Sequence, residues 1–165
     1  MKSKKYTINE GHHKSGFYPN LYFNVNHSKF EVIFTESCLY KFDTEDDADI
    51  NKLFGLSFGF HHQNSVRFGW NSEDGKIAIY AYCYKLSQRY MKRIVSIPIN
   101  SKHIFEINVY DAYYELKIVN NEGVIIGCAN IEKPKTTKIG YRLFPYFGGN
   151  RCAPHDINIW MKKMS

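Results

Sequence analysis

Alternation of apolar and polar positions runs along most of the chain and predicts β-strands in preference to helices. It is clearest in residues 65–84, where the two kinds of side chain alternate on both sides of the turn sequence Asn-Ser-Glu-Asp-Gly. Because successive side chains of a strand point to opposite faces, one face of this hairpin is expected to lie in a core. We predict that Trp70 faces Ile77 across the hairpin, so that Arg67 faces Tyr80. The other face is then formed by Ser65, Arg67, Tyr80, Tyr82 and Tyr84.

The same alternation recurs in short segments separated by turn-forming residues. Strands are predicted at about 4–9, 21–25, 30–35, 64–70, 76–84, 89–99, 103–110, 113–120, 123–131, 138–147 and 155–163. The second and third of these are predicted to form a hairpin around residues 26–28. Many short strands are typical of an antiparallel two-sheet β-sandwich, in jelly-roll or concanavalin-like order. We therefore predict an all-β fold in a single domain over residues 1–165, since no linker sequence is visible.

One stretch departs from this pattern and predicts a short helix near residues 45–54. Thr44 is suited to cap the helix, and acidic residues fill its first turn. Ile50, Leu53 and Phe54 then fall on one face. The acidic residues could also form a calcium loop, but their spacing does not match the EF-hand pattern. We therefore predict a solvated helix start.

Composition narrows the partners that this fold can have. Lysine and arginine number 22 and aspartate and glutamate 16, a net charge of +6. This charge permits binding to an acidic polymer, but without a basic helix or RNA-binding strand motif no nucleic-acid partner is predicted. No apolar run has membrane-spanning length, and the first residues lack the apolar core of a signal peptide. We therefore expect no membrane partner and a cytoplasmic or otherwise non-secreted location with reduced cysteines.

Side chains suited to ligand binding are concentrated on the outer face of the 65–84 hairpin, in the loop before it, and in the stretch 143–161. A guanidinium beside phenol rings can bind carboxylate, sulfate or hydroxyl groups while the rings stack on a sugar. Adjacent histidines in an extended chain point to opposite sides, so we expect at most one of His61 and His62 to face the ligand. The predicted ligand-binding residues are His61, His62, Arg67, Tyr80, Tyr82, Tyr84, Tyr146, Asn150 and His155.

Several other kinds of chemistry are not predicted. Cys152 and His155 have a spacing that a metal could use, but no second pair matches it, so neither a metal nor another cofactor is predicted. Gly148, Gly149 and Asn150 could let the backbone approach a ligand, or could form a turn that needs positive φ angles. The sequence has no serine nucleophile elbow, phosphate loop or dinucleotide fingerprint. Paired strand carboxylates of the E-x-D-x-x-E kind are also absent, which argues against laminarinase-like hydrolases.

Two segments, NKLFGLSFGFHHQNSVRFGW and LFPYFGGNRCAPHDINIWM, together resemble an uncharacterised group of small bacterial β-sandwich proteins that is common in Bacteroidetes. Because no activity is assigned to that group, the resemblance implies a fold and a bacterial origin but no mechanism. More remotely, the architecture is similar to concanavalin-like sandwiches, which include lectins, carbohydrate-binding modules and polysaccharide lyases. This second likeness is one of fold alone.

Three functions are compatible with these residues. The leading prediction is a non-catalytic glycan-binding domain, in which the tyrosines stack on sugar while Arg67, a histidine and Asn150 make polar contacts. The alternative is a polysaccharide lyase that acts by β-elimination on a uronic-acid polymer. In that enzyme Arg67 and Asn150 would neutralise the carboxylate, and Tyr82 or His155 would remove the proton. The third is a structural protein–protein interaction domain, which could form an oligomer. Both glycan functions require the two loops that carry the histidines and Asn150 to meet in one pocket.

Overall fold

A computed structural model of the protein describes residues 2–16 and 20–165. In that part of the chain, twelve strands form two six-stranded antiparallel sheets, which confirms the predicted all-β sandwich. Numbered in chain order, the strands of the first sheet are, from edge to edge, β1 (Lys4–Ile8), β12 (Ile157–Lys163), β3 (His27–Phe34), β8 (His103–Val109), β9 (Tyr113–Val119) and β10 (Ile125–Glu132). Those of the second sheet are β2 (Leu21–Phe23), β11 (Ile139–Leu143), β4 (Asn51–Ser57), β5 (Ser65–Glu73), β6 (Lys76–Lys85) and β7 (Gln88–Pro98).

The core lies between the inner faces of the two sheets and is rich in aromatic rings. Phe105 of β8 meets Phe68 of β5 edge to face, with ring centroids 5.0 Å apart. Burial of such rings from both sheets supplies a large part of the stabilising free energy. In the last strand, Ile157, Ile159 and Met161 are buried, as the alternation predicted.

The β5–β6 hairpin keeps its predicted faces, but its register differs from the prediction by two residues. Arg67 pairs with Tyr82 and not with Tyr80, and the other predicted pairs are displaced equally. The turn is formed by Asp74 and Gly75, whose φ angles are 48° and 73°. Positive φ at both residues suits a two-residue hairpin turn. Because a shift of two residues preserves the side-chain alternation, Arg67 and the tyrosines remain on the face away from the core.

The predicted helix near 45–54 is wrong. The structure has only a 3₁₀ turn at Glu45–Ala48, capped by Thr44 as expected, and then β4. Leu53 and Phe54 both lie in the core, because a β-bulge between Lys52 and Gly55 places these two residues of β4 opposite the single residue Phe68 of β5. The bulge interrupts the alternation of apolar and polar residues, so Ile50, Leu53 and Phe54 recur at the spacing of one helix face. No helix among the described residues is long and apolar enough to cross a membrane.

The predicted hairpin around residues 26–28 is also wrong, because this connection passes from one sheet to the other. β2 pairs with β11 in the second sheet, whereas β3 pairs with β12 and β8 in the first. The strand predicted over 138–147 ends at Leu143. The chain then continues beside β4, where Tyr146 and Lys52 form an isolated bridge.

Candidate functional site

A groove of about 960 Å³ lies on the outer face of the second sheet. Residues of β4, β5, β6, β7 and β11 line it, together with the turn at 61–62 and the segment 144–150. Its side chains that can carry charge or form hydrogen bonds are Lys14, Asn20, Asp49, Lys52, His61, His62, Arg67, Tyr82, Tyr84, Arg89, Tyr141, Arg142, Tyr146 and Asn150. The two loops that the sequence singled out therefore meet in one groove.

Arg67 is a buried cation that lines this groove. Only 8% of its surface is exposed. Its Nη2 donates to the carbonyl oxygen of Phe144 at 3.3 Å, whereas its Nε has no hydrogen-bond partner among the described residues. No described carboxylate forms an ion pair with it. Burial lowers the pKa of Arg67 to about 10, so the side chain stays charged at neutral pH. A buried charge without a counter-ion is unfavourable for folding.

A glycine on the neighbouring strand makes room for Arg67. Gly55 of β4 pairs with Arg67 of β5. A Cβ at Gly55 would lie 2.5 Å from Cγ of Arg67 and 2.2 Å from the carbonyl oxygen of Val66. The missing side chain therefore lets β4 approach β5 while the Arg67 side chain lies against it.

Lys52 of β4 is a second partly buried cation in the groove. Its Nζ lies 4.9 Å from the ring centroid of Tyr82 and 5.9 Å from that of Tyr146, both within the range of cation–π contacts. Burial, followed by repulsion from Arg67, lowers the pKa of Lys52 to about 8. Lys52 is therefore mostly charged at neutral pH but loses its proton under mildly alkaline conditions.

Cations outnumber carboxylates in the groove. The cationic side chains that line it are Lys14, Lys52, Arg67, Arg89 and Arg142. Among the described lining residues, Asp49 is the only carboxylate. Charges of one sign in a cleft concentrate ligands of the opposite sign. The groove is therefore suited to an anionic ligand.

His61 and Tyr141 form a hydrogen-bonded pair beside these cations. His61 Nδ1 lies 2.5 Å from Oη of Tyr141, and the backbone N–H of His61 donates to the same oxygen at 3.3 Å. This arrangement lets the Tyr141 hydroxyl donate to Nδ1. Burial, and then the charges of His62 and Arg67, lower the pKa of His61 to about 4. At neutral pH the imidazole is therefore uncharged and can accept a hydrogen bond through Nδ1.

Contacts with β4 hold the segment 146–150 in place. Tyr146 and Lys52 exchange two backbone hydrogen bonds of 2.8 and 2.9 Å. The backbone N–H of Gly148 donates to Oδ1 of Asn51 at 2.7 Å, and a Cβ at Gly148 would lie 2.1 Å from a carbonyl oxygen just before β4. The glycine thus allows close approach to β4 and not to a ligand. Asn150 is left exposed at the groove.

The groove brings together seven of the predicted ligand-binding residues: His61, His62, Arg67, Tyr82, Tyr84, Tyr146 and Asn150. It contains both histidines, so the expectation that only one would face it is wrong, because residues 61–63 form a turn and not an extended chain. Tyr80 lines a second cavity on the same face. His155 lies elsewhere, with its Nε2 2.8 Å from the carbonyl oxygen of Ser37. The structure therefore does not place His155 beside Arg67 and Tyr82.

Sequence reasoning missed several residues of the groove, above all Lys52 and Tyr141. Lys52 lies in the segment that the sequence predicted to be helical, so it was not assigned to either face of a sheet. Tyr141 lies on β11, which pairs with β4 although 84 residues separate Tyr141 from the Ser57 with which it exchanges hydrogen bonds. The available signal was the strand predicted over 138–147, but alternation along a strand does not say which strands are its neighbours.

The Cys152–His155 spacing does not produce a metal site. Cys152 Sγ lies 3.5 Å from Nε2 of His13, whereas His155 contacts the Ser37 carbonyl group. Within residues 2–16 and 20–165, no cluster of three or more histidine, cysteine, aspartate or glutamate side chains could hold a metal ion.

Neither a family model nor a curated protein matches the chain. Solved structures do share its fold. A functionally unknown protein from Saccharomyces cerevisiae has a TM-score of 0.58 at 9% identity, with 99% of this chain and 89% of that one covered. The alginate lyase from Klebsiella pneumoniae has a TM-score of 0.60 at 5% identity, with 92% of this chain and 60% of the lyase covered. The CBM2 module of the evolved Dit of Lactobacillus casei BL23 phage J-1 has a TM-score of 0.51 at 11% identity, with 98% and 69% covered.

These likenesses show a shared β-sandwich fold. At such low identity they carry no function across. The chain spans only about three fifths of the length of the Klebsiella lyase. The resemblance to a bacterial group stays a prediction, and one of the similar structures comes from a yeast.

Proposed function

We propose that the groove binds an acidic glycan, such as a uronic-acid oligosaccharide, and that the protein is a non-catalytic glycan-binding domain. The observation that carries this proposal is Arg67, a buried cation in the groove that forms no ion pair with a described carboxylate. A ligand carboxylate would supply the missing counter-charge through paired, charge-assisted hydrogen bonds.

The other side chains of the groove support the same ligand class. Lys52 would add a second positive charge close to the ligand carboxylate. The rings of Tyr82, Tyr84 and Tyr146 line the groove and would pack against the apolar faces of sugar rings. A carbohydrate ligand is compatible with the fold, which the Klebsiella alginate lyase shares.

A calorimetric titration with matched ligands tests the proposal. An oligogalacturonate should bind, whereas the methyl ester of the same oligosaccharide, which has the same size but no charge, should bind much more weakly. Because salt screens charge–charge attraction, binding of the acid form should weaken as sodium chloride is raised. Equal binding of acid and ester, or binding of neither oligogalacturonate nor other uronates, would reject an acidic glycan as the ligand.

One observation favours a second candidate function, a polysaccharide lyase. The Tyr141–His61 pair lies in the same groove as Arg67, and the Tyr141 hydroxyl can donate a hydrogen bond to the neutral imidazole. In a β-elimination, Tyr141 would take the C5 proton while passing its own proton to His61. The C4–O bond would then break, a C4=C5 double bond would form, and the leaving oxygen would take the proton that His61 had received, so that both side chains return to their starting state. Arg67 would neutralise the uronate carboxylate during this step.

Incubation with alginate, pectate or hyaluronan separates the two functions. A lyase creates an unsaturated uronate and therefore new ultraviolet absorption, which a Tyr141→Phe variant should abolish while binding is retained. Binding of the polymer without new absorption supports the binding domain. New absorption that survives in Tyr141→Phe would exclude Tyr141 as the base.

A further inference from the structure

A second cavity, of about 920 Å³, adjoins the groove on the outer face of the second sheet. Side-chain alternation along β5 brings Arg67, Gly69 and Asn71 to this face in succession. Arg67 lines the groove, Asn71 lines the second cavity, and Ile50 lies over Gly69 between them, with its Cγ2 2.5 Å from where a Cβ would be. Because alternate residues of a strand are about 7 Å apart, one oligosaccharide can reach both cavities.

The wall of the second cavity contains an acceptor without a donor. Asn71 is 6% exposed, and its Nδ2 contacts the carbonyl oxygen of Asp47 at 3.4 Å. Its Oδ1 is buried and has no hydrogen-bond partner among the described residues. A buried amide oxygen without a donor is unfavourable, so it favours a ligand that donates a hydrogen bond.

The charge of the second cavity is opposite to that of the groove. Asp47, Glu73 and Asp74 line it, with Lys41 as the cation. Asp47 already accepts hydrogen bonds from two backbone N–H groups, and Glu73 is paired with Arg93. Asp74 is exposed in the β5–β6 turn, where its carboxylate can accept from a ligand. Such a wall attracts hydroxyl groups and repels anionic sugars.

Apolar surface for a sugar ring is also present. Tyr80 of β6 is half-buried and Met91 of β7 is 48% exposed, and both line the second cavity. A half-buried tyrosine ring beside acceptors for hydroxyl groups is suited to a neutral sugar, which has an apolar ring face and donors at its rim.

We infer that the second cavity is a subsite for uncharged, hydroxyl-rich sugar units of the glycan whose acidic unit lies in the groove. This inference rests on the proposed function of the groove. The two cavities together would then select a mixed glycan, in which uronic acids are joined to neutral sugars, over a polymer made of uronic acids alone.

Titrations with hyaluronan oligosaccharides test this inference, because their glucuronic acid units alternate with uncharged N-acetylglucosamine. The disaccharide can fill the groove, whereas the octasaccharide can also reach the second cavity. Tyr80→Ala should weaken octasaccharide binding about tenfold, as expected for loss of a stacking ring, and leave disaccharide binding unchanged. Tyr110→Ala, which removes an exposed tyrosine that lines neither cavity, is the matched control and should change neither affinity.

A second variant, Asp74→Asn, tests the effect of the negative charge in the second cavity and not the stacking on Tyr80. Asp74 has a φ of 48°, a conformation that asparagine tolerates, so Asp74→Asn should fold normally. It should strengthen binding of an alginate octasaccharide about threefold, because one repulsive charge is removed, while the hyaluronan octasaccharide changes less.

The outcomes separate the two proposals. If the groove binds the disaccharide but the octasaccharide binds no more tightly, or if Tyr80→Ala has no effect on the longer ligand, the second subsite is rejected while the groove stands. If Tyr80→Ala weakens both lengths equally, Tyr80 acts through the groove and the subsite is again rejected. If the wild-type protein binds neither hyaluronan nor an oligogalacturonate, the proposed function fails and the subsite fails with it.

Discussion

The outer faces of the two sheets both carry charged residues, but the central charges of the first sheet are paired, whereas the cations of the groove on the second sheet form no ion pair with a described carboxylate. On that sheet Lys29, Glu106 and Lys117 are direct neighbours across three strands. Lys29 Nζ lies 3.9 Å from a Glu106 carboxylate oxygen, and Lys117 Nζ lies 3.4 Å from Glu115. Opposite charges placed across strands in this way suit a solvated face.

The second sheet places cations next to cations on its outer face. Lys52 and Arg67 lie on adjacent strands, and the charge of Arg67 helps to lower the pKa of Lys52. Such an arrangement opposes folding, because partly buried like charges repel and lose solvation. The presence of charged residues alone therefore does not indicate a ligand-binding site. A ligand-binding site is indicated by partly or fully buried charge that has no counter-ion in the folded protein.

Replacing Arg67 should have the largest effect on ligand binding, because it removes the buried cation that has no counter-ion. Arg67→Met is expected to weaken oligogalacturonate binding about 100-fold or more, as found when a buried, charge-paired donor is lost. The free energy of unfolding should stay the same or rise, because methionine removes an uncompensated buried charge. Calorimetric titration and urea unfolding measure the two quantities.

The control for this substitution is Arg93→Met, since Arg93 is paired with Glu73 on the exposed β7 edge. It should leave the affinity of the groove nearly unchanged. If Arg67→Met instead lowers the free energy of unfolding by more than about 1 kcal/mol, Arg67 has mainly a structural role in joining β5 to Phe144. Its unpaired charge would then not mark a ligand-binding site.

Gly55→Ala should have the next largest effect, this time on stability. The added Cβ would lie 2.2 Å from the Val66 carbonyl oxygen and 2.5 Å from Arg67 Cγ, so two central strands must separate. We expect a loss of about 2 kcal/mol in the free energy of unfolding, together with weaker glycan binding as Arg67 moves. Gly75→Ala is the control, because its φ of 73° strains the hairpin turn far from Arg67. If both variants lose stability but keep full affinity, Gly55 does not position Arg67.

Titration of Lys52 should give a smaller, pH-dependent effect. Its pKa of about 8 in the folded protein means that its charge is lost as the pH rises from 7 to 9. Affinity for an oligogalacturonate should therefore fall several-fold over this range, and the fall should disappear in Lys52→Met. The unfolded state binds more protons between about pH 8 and the ordinary lysine value near 10.4. Without ligand, the free energy of unfolding of the wild-type protein should therefore rise with pH through that range when it is compared with that of Lys52→Met.

Lys29→Met is the control for this experiment, because Lys29 is paired with Glu106 on the first sheet. It should leave the pH dependence of binding intact. A fall in affinity that persists in Lys52→Met would assign the titration to another group of the groove.

Most of the fold could be predicted from the sequence, because strands such as β3, β8, β9 and β12 alternate between buried and more exposed residues, and the sequence alternates with them. The failures occurred where that condition does not hold. A β-bulge in β4 breaks the alternation, so its apolar residues were taken for one face of a helix and Lys52 was not assigned to the groove. The connection from β2 to β3 changes sheets, which no turn signal reveals.

The groove was predictable to the extent that it lies on one hairpin. Arg67, Tyr82 and Tyr84 share a face of β5 and β6, and a register error of two residues did not move them from it. Tyr141 comes from a strand distant in the sequence, and strand order cannot be read from alternation. His155 was included because of its neighbours in the sequence, but it belongs to the chain entering the first sheet.

Glu106→Gln on the first sheet should have the smallest effect, a slight loss of stability without a change in ligand affinity. Burial opposes the charge of Glu106, but hydrogen bonding with Asn108 and the charges of Lys117 and Lys29 leave its pKa below the ordinary value. The charged carboxylate therefore adds stability at neutral pH that is lost as pH falls through its folded-state pKa. We expect a loss of at most about 1 kcal/mol in urea unfolding at pH 7, shrinking in acid, since partly exposed ion pairs contribute little. Affinity for oligogalacturonate should not change. If neutralising Glu106 altered binding as much as Arg67→Met does, the net charge of the protein, and not the unpaired cations of the groove, would govern ligand binding.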